Sequence, residues 1–280
     1  MAGAPGLSAP GGVQAAIDRI REAAAALPPL RAVICVGAAG ALAAPDAAGE
    51  LAHRLISDLG YAGAIVTSDV VTAHLGALSG GPGVVVVAGT GAVALAVGST
   101  GELTVVDGAG PMHGDLGGGG WIGAEALRLA TRDGGALAVA AEEVLGSQWQ
   151  DAGSEKGPGA AGLRGRLVPR VGELARGGDH TAYDLVVRSA TAIAGTARRA
   201  VESLDGDDPV DVCIVGGVRE IGPPWTTVLT ERLSETPRVR LREPHGDALD
   251  GAAILVDRTD LPHEQHVHRV AGTDSEGCPP

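Results

Sequence analysis

The spacing of apolar residues over the first eighty positions predicts a helix, a strand, a second helix and a second strand. Apolar side chains recur at helical intervals over 13–24 and again from about Asp46 to Leu59, and the two runs end before a proline pair and at a glycine. The apolar runs RAVICVG, at 31–37, and AGAIVTSD, at 62–69, have the length of strands. A strand, a helix and a strand in this order indicate a parallel βαβ unit.

A different pattern begins at Gly81. Short apolar runs at 84–88, 92–98 and 102–107 are separated by Gly89-Thr90-Gly91 and by a Ser-Thr-Gly turn, which predicts an antiparallel β-meander. The rest of the chain predicts helices near 121–145, 180–204, 223–235 and 248–258, a buried strand that ends at Gly216-Gly217, and a strand at 239–242. The alternation of strands and helices predicts an α/β protein.

The domain boundaries follow from the same patterns. We expect a first domain at 11–80 and a second at 81–247, with the last helix, at 248–260, packing back on the first. Residues 151–179 are typical of a glycine-rich loop that includes part of a helix. The polar segment 261–280 is expected to be a disordered tail.

Composition excludes several classes of function. The chain has 280 residues and a net charge of −13, with no basic stripe, so it should bind neither nucleic acid nor anionic membranes. Aromatic residues make up 2% and Phe is absent, which leaves few rings to stack on bases. No segment resembles a signal peptide or a membrane-spanning helix, and we expect a cytoplasmic protein.

The cysteines and lysines are also informative. The three cysteines, Cys35, Cys213 and Cys278, form no Cys-x-x-Cys pair, so neither a zinc site nor a disulfide framework is predicted. Lys156, in a loop-like segment, is the only lysine. A P-loop requires Gly-Lys-Ser/Thr after a strand, and the sequence therefore excludes that class of nucleotide site.

The segment Gly89-Thr90-Gly91 interrupts two strand-like runs and has two interpretations. It could be a simple hairpin turn, because glycine readily adopts the positive φ that tight turns need. It could instead be a phosphate-binding hairpin, in which bare backbone N–H groups and the Thr90 hydroxyl face an anion.

Asp69 also allows two interpretations. It stands where a strand ends and a helix begins, which is the ordinary place for a helix N-cap. The carboxyl ends of strands are also where open α/β sheets bind ligands, and a carboxylate there could act as a general base toward a substrate hydroxyl.

Three weaker signals remain. Asp115 is a lone carboxylate in HGDLGGGGWIG and could bind sugar hydroxyls or a metal-bound water, although the loop could simply lead into a helix. Gly216-Gly217 could be a plain turn or could let an adenosine approach the backbone. The histidines of the polar C-terminal segment are expected to be solvated and without function: His263, His266 and His268.

Taken in order, these segments resemble one protein family. The co-linear set is VTSDVVTAHLGAL, VVVVAGTGAVALAVG, GAGPMHGDLGGGGWIGAEAL, VDVCIVGGV and EPHGDALDGAAILV. It is similar to the BadF/BadG/BcrA/BcrD ATPase family, most of all to its N-acetylglucosamine kinase branch, over about Val13 to Arg258. The resemblance implies the two-domain actin-like ATPase (ribonuclease H-like) fold and an ATP- and Mg²⁺-dependent kinase of an amino sugar such as N-acetylglucosamine or glucosamine.

The resemblance also implies roles for individual residues. Asp69 matches the catalytic general base of the family. The other matches are substrate contacts at Ser68, Gly114 and Asp115, and nucleotide contacts at Gly89, Thr90, Gly91, Gly216 and Gly217.

The sequence departs from the family pattern in two places. Leu116 stands where relatives carry Glu, and Gly110-Pro111 where they tend to carry Gly-Trp-Gly, so the sugar pocket is expected to differ. Relatives begin with a strand carrying Asp-Gly-Gly-Gly-Thr, the first phosphate motif, whereas only MAGAPGLSAP precedes the first helix here. Since strands average about five residues, three cannot form from this stretch. We expect the first domain to lack its N-terminal β-meander and the kinase to be impaired.

Two other functions stay open at this point. The chain could be a catalytically inactive protein derived from a kinase, with a sugar-binding or a regulatory function. It could also belong to the radical-enzyme activator branch of the family, which holds an iron–sulfur cluster through cysteines, although Cys35 and Cys213 lie in runs predicted as core strands. The open sheet edge of the first domain predicts a homodimer.

Overall fold

The computed structural model describes residues 6–25, 32–108, 110, 114–154 and 159–272. The α-helices of these residues are α1 (Gly12–Ala24), α2 (Pro45–Ser57), α3 (Asp69–Leu78), α4 (Gly119–Asp133), α5 (Gly135–Leu145), α6 (Trp149–Ser154), α7 (Ala160–Gly165), α8 (Val168–Arg176), α9 (His180–Glu202), α10 (Trp225–Ser234) and α11 (Ala248–Asp257). The strands are β1 (Val33–Gly37), β2 (Gly63–Thr67), β3 (Gly83–Ala88), β4 (Ala92–Val97), β5 (Leu103–Asp107), β6 (Val210–Val215), β7 (Val239–Arg242) and β8 (His268–Ala271).

These elements form two units. The described residues up to Gly80 and from Gly246 onward make the first unit, and those from Gly81 to His245 make the second. Each unit has its own sheet and its own buried apolar cluster.

The sheet of the first unit has the order β1-β2-β8. β1 and β2 run parallel, as expected for a βαβ unit, and β8 pairs antiparallel with the other edge of β2. β2 is buried along its whole length, whereas Val33 at the start of β1 is 50% exposed. The helices α1 and α2 supply the core beside this sheet, including Ile17, Leu51 and Leu55.

The prediction of a disordered tail from residue 261 is wrong for the residues that the structure describes. Residues Pro262–His266 form a 3₁₀ turn, and β8 follows at once. Arg269 holds the segment in place, because its guanidinium donates to the carbonyls of Leu255 and Arg258 and pairs with Glu264. Residues 273–280, including Cys278, lie outside the described residues.

Glycines bring α3 and α11 into close contact. A β-carbon at Gly76 would overlap the carbonyl oxygen of Asp247, and one at Gly251 would overlap the carbonyl oxygen of Thr72. Asp247 caps α11 by accepting the N–H groups of Leu249 and Asp250. Since no larger residue fits at Gly76 or Gly251, the glycines set the separation of these helices.

The sheet of the second unit has the order β5-β4-β3-β6-β7. The predicted meander forms β3, β4 and β5, and β6 and β7 extend the sheet in parallel with β3. Ala88 at the end of β3 pairs with Ala92, and Val87 lies beside Val215 of β6. The ends of β3 and β6 therefore meet at one edge of the sheet, and the Gly89–Gly91 turn and Gly216 follow them there.

Helices cover the sheet of the second unit, and two segments of the chain differ from the prediction. The helix expected over 121–145 is two helices, α4 and α5, because Gly134 and Gly135 have φ values of 66° and 70°. The expected loop at 151–179 contains α6, α7 and α8, with residues 155–158 outside the description. No helix among the described residues is long and apolar enough to cross a membrane.

Candidate functional site

The Gly89-Thr90-Gly91 turn is held by the start of α4. The N–H of Gly119 donates to the carbonyl of Gly89 at 2.7 Å, and the N–H of Gly120 donates to the carbonyl of Thr90 at 2.8 Å. Within the turn, the N–H of Gly89 donates to the carbonyl of Gly91 at 3.0 Å. The turn thus directs its carbonyls toward α4, and no hydrogen bond within the described part of the chain uses the N–H groups of Thr90 and Gly91.

The glycines of this turn are not explained by backbone strain. The simple hairpin interpretation explained these glycines by a positive φ. Neither Gly89 nor Gly91 has a positive φ. A β-carbon at Gly89 would meet no atom within 4 Å, so packing does not demand glycine there either. The open space beside Gly89 leaves room for a ligand next to the exposed Thr90.

Further glycines line the other sides of the turn. A β-carbon at Gly118 would lie 2.6 Å from the carbonyl oxygen of Gly91, and one at Gly216, whose φ is 102°, would overlap the carbonyl of Ala88. Gly217 follows with open space at its own β-carbon position. The predicted nucleotide residues therefore lie together at one edge of the sheet, and the surface they form is almost entirely backbone.

Asp115 contacts the same turn. Its Oδ1 accepts the N–H of Ala92, the residue after Gly91, at 3.1 Å. Its φ is 60°, in the left-handed region, and Gly114 before it is buried. Burial raises the pKa of Asp115, the bond from Ala92 lowers it, and the nearby charge of Asp107 raises it again. The structure thus brings together the predicted sugar-binding carboxylate and the predicted phosphate turn, whereas His113 lies outside the described residues.

Asp107 is a site residue that the sequence reasoning missed. It ends β5, and its carboxylate accepts the backbone N–H of Asp115 at 2.7 Å. Asp-Gly at 107–108 is a familiar turn signal, and that signal could have drawn attention to it. The sequence does not show that this carboxylate binds the N–H of Asp115.

Asp69 lies in the first unit, at the first position of α3. Ser68 is the N-cap residue, so the interpretation of Asp69 as a cap is wrong. The carboxylate is exposed, and its Oδ1 accepts the hydroxyl of Ser68 at 3.0 Å and the N–H of Val70 at 2.9 Å. No hydrogen bond in the described residues uses Oδ2. One oxygen of the exposed Asp69 side chain therefore fixes its orientation, and the other has no hydrogen bond to the described residues.

The backbone around Ser68 and Asp69 is held firmly. The Thr67 hydroxyl, fully buried, donates to the carbonyl of His266 at 2.8 Å, and the N–H of Ala38 donates to the carbonyl of Thr67 at 2.8 Å. A β-carbon at Gly37 would lie 3.2 Å from the Cα of Asp69. The end of β1 and the C-terminal segment thus both support the residues at the start of α3.

The structure also bears on metal and cluster chemistry. The described residues contain no group of three or more His, Cys, Asp or Glu side chains that could hold a metal ion. Burial raises the pKa of the Cys35 and Cys213 thiols to about 11.

Comparison with known proteins identifies the family. The sequence profile of the BadF/BadG/BcrA/BcrD ATPase family matches residues 11–255. The chain belongs to this family. The resemblance expected from the sequence is therefore confirmed, and β8 and His263 lie beyond the matched residues.

Solved structures agree with this assignment. A candidate N-acetylglucosamine kinase from Chromobacterium violaceum superposes with a TM-score of 0.68 at 26% identity, covering 91% of this chain and 88% of that one. A second, from Porphyromonas gingivalis, has a TM-score of 0.65 at 16% identity, with coverage of 90% and 84%. No curated protein is significantly similar in sequence. The actin-like ATPase fold expected for a BadF/BadG/BcrA/BcrD ATPase is confirmed.

Proposed function

We propose that the chain is an ATP-dependent kinase of an amino sugar such as N-acetylglucosamine or glucosamine. The observation that carries the proposal is the contact between the Gly89–Gly91 turn and Asp115. It pairs a surface of bare backbone, suited to phosphates, with a carboxylate suited to sugar hydroxyls. Membership of an ATPase family supports the nucleotide, and the similar C. violaceum protein supports the sugar.

The turn fits the phosphates of ATP by its shape and its donors. In the proposed complex, the N–H groups of Thr90 and Gly91 and the Thr90 hydroxyl donate to phosphate oxygens. The open space at Gly89 receives the phosphate chain. Gly216 and Gly217, at the end of β6, give the adenosine a backbone surface without side chains. A side chain at Gly89 or Gly217, where the β-carbon position is open, would occupy space that the proposal assigns to the nucleotide.

Asp69 and Asp115 act on the sugar in this proposal. Asp115 accepts hydrogen bonds from sugar hydroxyls next to Gly114, and Asp69, oriented by Ser68, takes the proton of the reacting hydroxyl. The hydroxyl oxygen then forms a bond to the γ-phosphorus as the bond to the β–γ bridging oxygen breaks, which releases ADP. Most of the rate comes from holding the two reactants in line, so the rate also depends on the correct placement of Asp115.

Mg²⁺ would neutralise charge on the phosphates. Since Mg²⁺ in kinases is usually held by one or two carboxylates, phosphate oxygens and water, a cluster of three protein ligands is not required. The carboxylate of Asp115 lies beside the turn. A cytoplasmic location belongs to the proposal because ATP is supplied there, and the homodimer predicted from the sequence stays a prediction.

The direct test is coupled ADP release by the 280-residue chain with N-acetylglucosamine, glucosamine and glucose as substrates. We expect ADP release that depends on an amino sugar, and its rate also tests the impairment expected from the sequence. Tight sugar binding without turnover would favour the alternative, an inactive sugar-binding or regulatory protein. Neither binding nor turnover with any of the three sugars would contradict the proposal.

A further inference from the structure

The end of β5 has an unusual conformation. Asp107 has a φ of 68°, in the left-handed region that residues other than glycine seldom adopt, and its side chain is only 4% exposed. Burying a carboxylate in a sparsely populated backbone conformation costs free energy unless hydrogen bonds compensate. The partners of this carboxylate therefore indicate what the conformation achieves.

Both carboxylate oxygens of Asp107 have partners. Oδ1 accepts the N–H of Gly108 at 3.0 Å and the N–H of Asp115 at 2.7 Å. Oδ2 accepts the hydroxyl of Thr196, on α9, at 3.0 Å. Arg199, one turn further along α9, donates to the same hydroxyl at 3.0 Å and lies 3.7 Å from Oδ2. Asp107 thus links Asp115 to the long helix α9.

This link fixes Asp115 at its backbone. Asp115 also has a left-handed φ, so its peptide N–H must be held if the residue is to keep that conformation. Asp107 holds that N–H, while Ala92 holds Oδ1 of the Asp115 side chain. With two separate anchors, the remaining oxygen of Asp115 has a defined direction for a ligand.

Asp107 also acts on Asp115 through its charge. Asp107 raises the pKa of Asp115, after the larger effect of burial, because two carboxylates close together repel each other. A neutral acceptor such as Asn could accept the same N–H of Asp115 without this repulsion. A carboxylate has a second oxygen acceptor as well, which receives the hydroxyl of Thr196 and lies 3.7 Å from the guanidinium of Arg199.

We propose that Asp107 is a positioning residue for sugar binding, which holds the backbone of Asp115 so that its carboxylate meets the hydroxyls of the sugar. The inference rests on the proposed function. It adds a residue to that site and assigns it an effect on the sugar, a polyhydroxylated ligand, and not on the nucleotide.

The test measures ligand binding by calorimetry on the full chain, with N-acetylglucosamine and glucosamine as sugars and ATP as the control ligand. Asp107→Gly removes the carboxylate and relieves the strain of the positive φ, so lost affinity reports on the carboxylate alone. We expect sugar affinity to fall roughly tenfold or more, because a charge-assisted anchor of Asp115 is lost, and ATP affinity to change less than about twofold. Asp107→Asn keeps an acceptor for Asp115 and should recover most of the sugar affinity.

A second variant covers the case in which Asp107→Gly does not fold. Thr196→Val keeps the shape of the side chain on α9 and removes the hydroxyl that holds Oδ2. We expect it to weaken sugar binding by a few-fold while ATP binding is retained. Sugar affinity unchanged in the folded variants would overturn the inference.

Asp115→Ala separates this inference from the proposed function. Loss of sugar binding in Asp115→Ala with no change in Asp107→Gly would overturn only the role of Asp107. Wild-type sugar affinity in Asp115→Ala, or no sugar binding by the wild-type chain, would contradict the proposed site itself and the inference with it.

Discussion

Gly91 lies so close to Asp115 that a β-carbon at position 91 would stand 2.7 Å from Oδ1 of the carboxylate and 2.9 Å from its carbon. Contacts this short do not occur between a β-carbon and a neighbouring atom, so any side chain at position 91 must displace Asp115. Gly89, two residues earlier, has open space instead. The two glycines of one turn therefore have different reasons to be glycine.

This difference predicts opposite effects of two matched substitutions. Gly91→Ala should weaken sugar binding roughly tenfold, because the methyl group pushes the Asp115 carboxylate from its place beside Ala92. Gly89→Ala should leave sugar binding unchanged and weaken ATP binding, because its methyl group enters the space proposed for phosphates. Calorimetry with each ligand checks both. Equal effects of the two variants on the two ligands would return the turn to a structural role.

Asp69→Asn tests the proposed base. The amide keeps the size of the side chain and an oxygen that can accept the Val70 N–H, but it cannot take a proton. We expect kcat to fall by about two orders of magnitude or more with sugar affinity nearly unchanged. Turnover is measured by coupled ADP release and affinity by calorimetry. If the Asn variant turns over like the wild type, Asp69 is not the base.

The contact of α3 with α11 predicts a large effect on stability. Gly76→Ala should destabilise the protein by more than about 3 kcal/mol, because the added methyl group overlaps the backbone of Asp247 and the helices cannot separate without losing packing. The matched control is Gly195→Ala in the middle of α9, where the β-carbon meets only the end of the Arg199 side chain at 3.5 Å.

The control should stabilise α9 by about 0.4–1 kcal/mol, the usual gain for replacing a helical glycine where there is room. Urea unfolding measures both variants. A Gly76→Ala protein as stable as the wild type would show that α3 and α11 are not in the contact described.

The buried histidine pair predicts loss of stability in acid. Nε2 of His263 lies 3.1 Å from Nδ1 of His74, both side chains are fully buried, and Nδ1 of His263 has no partner among the described residues. Burial, with smaller effects of His74 and His266, lowers the pKa of His263 to about 3. The unfolded chain binds a proton near pH 6.5 and the folded chain does not, so stability is complete above pH 6.5 and falls as the pH decreases toward 3.

The expected slope is roughly 1.4 kcal/mol of unfolding free energy per pH unit in that window. His263→Leu should remove this part of the slope, since leucine does not titrate. Urea unfolding between pH 7 and pH 4 measures the slope for both proteins. The same slope in His263→Leu would show that other groups control the acid sensitivity.

The sequence was most informative where local patterns decide structure. The apolar runs gave β3, β4 and β5 almost to the residue, because turns rich in glycine separate them. The sequence-based prediction was wrong at residues 262–271, which it expected to be disordered. The ordered structure of this segment depends on pairing with β2, on the contacts of Arg269 and on the burial of His263 against α3. Those partners are distant in the chain, and a polar, histidine-rich segment carries no local sign of them.

The candidate site shows the same division. Gly89, Gly91 and Asp115 could be selected from the sequence because glycines around a hydroxyl or a carboxylate suggest backbone exposed to a ligand. Gly91 contacts Asp115, and Asp107 accepts the Asp115 N–H, across separations of 24 and 8 residues that no local pattern specifies. Only the fold determines which of the candidates meet.

The most direct test of the account is the product formed from ATP and N-acetylglucosamine or glucosamine, identified by mass spectrometry after long incubation with the 280-residue chain. The account predicts a sugar heavier by one phosphoryl group, formed together with ADP, and formed far more slowly by Asp69→Asn. Recovery of both sugars unchanged while the protein binds ATP and sugar would contradict the central claim that this chain transfers a phosphoryl group to an amino sugar.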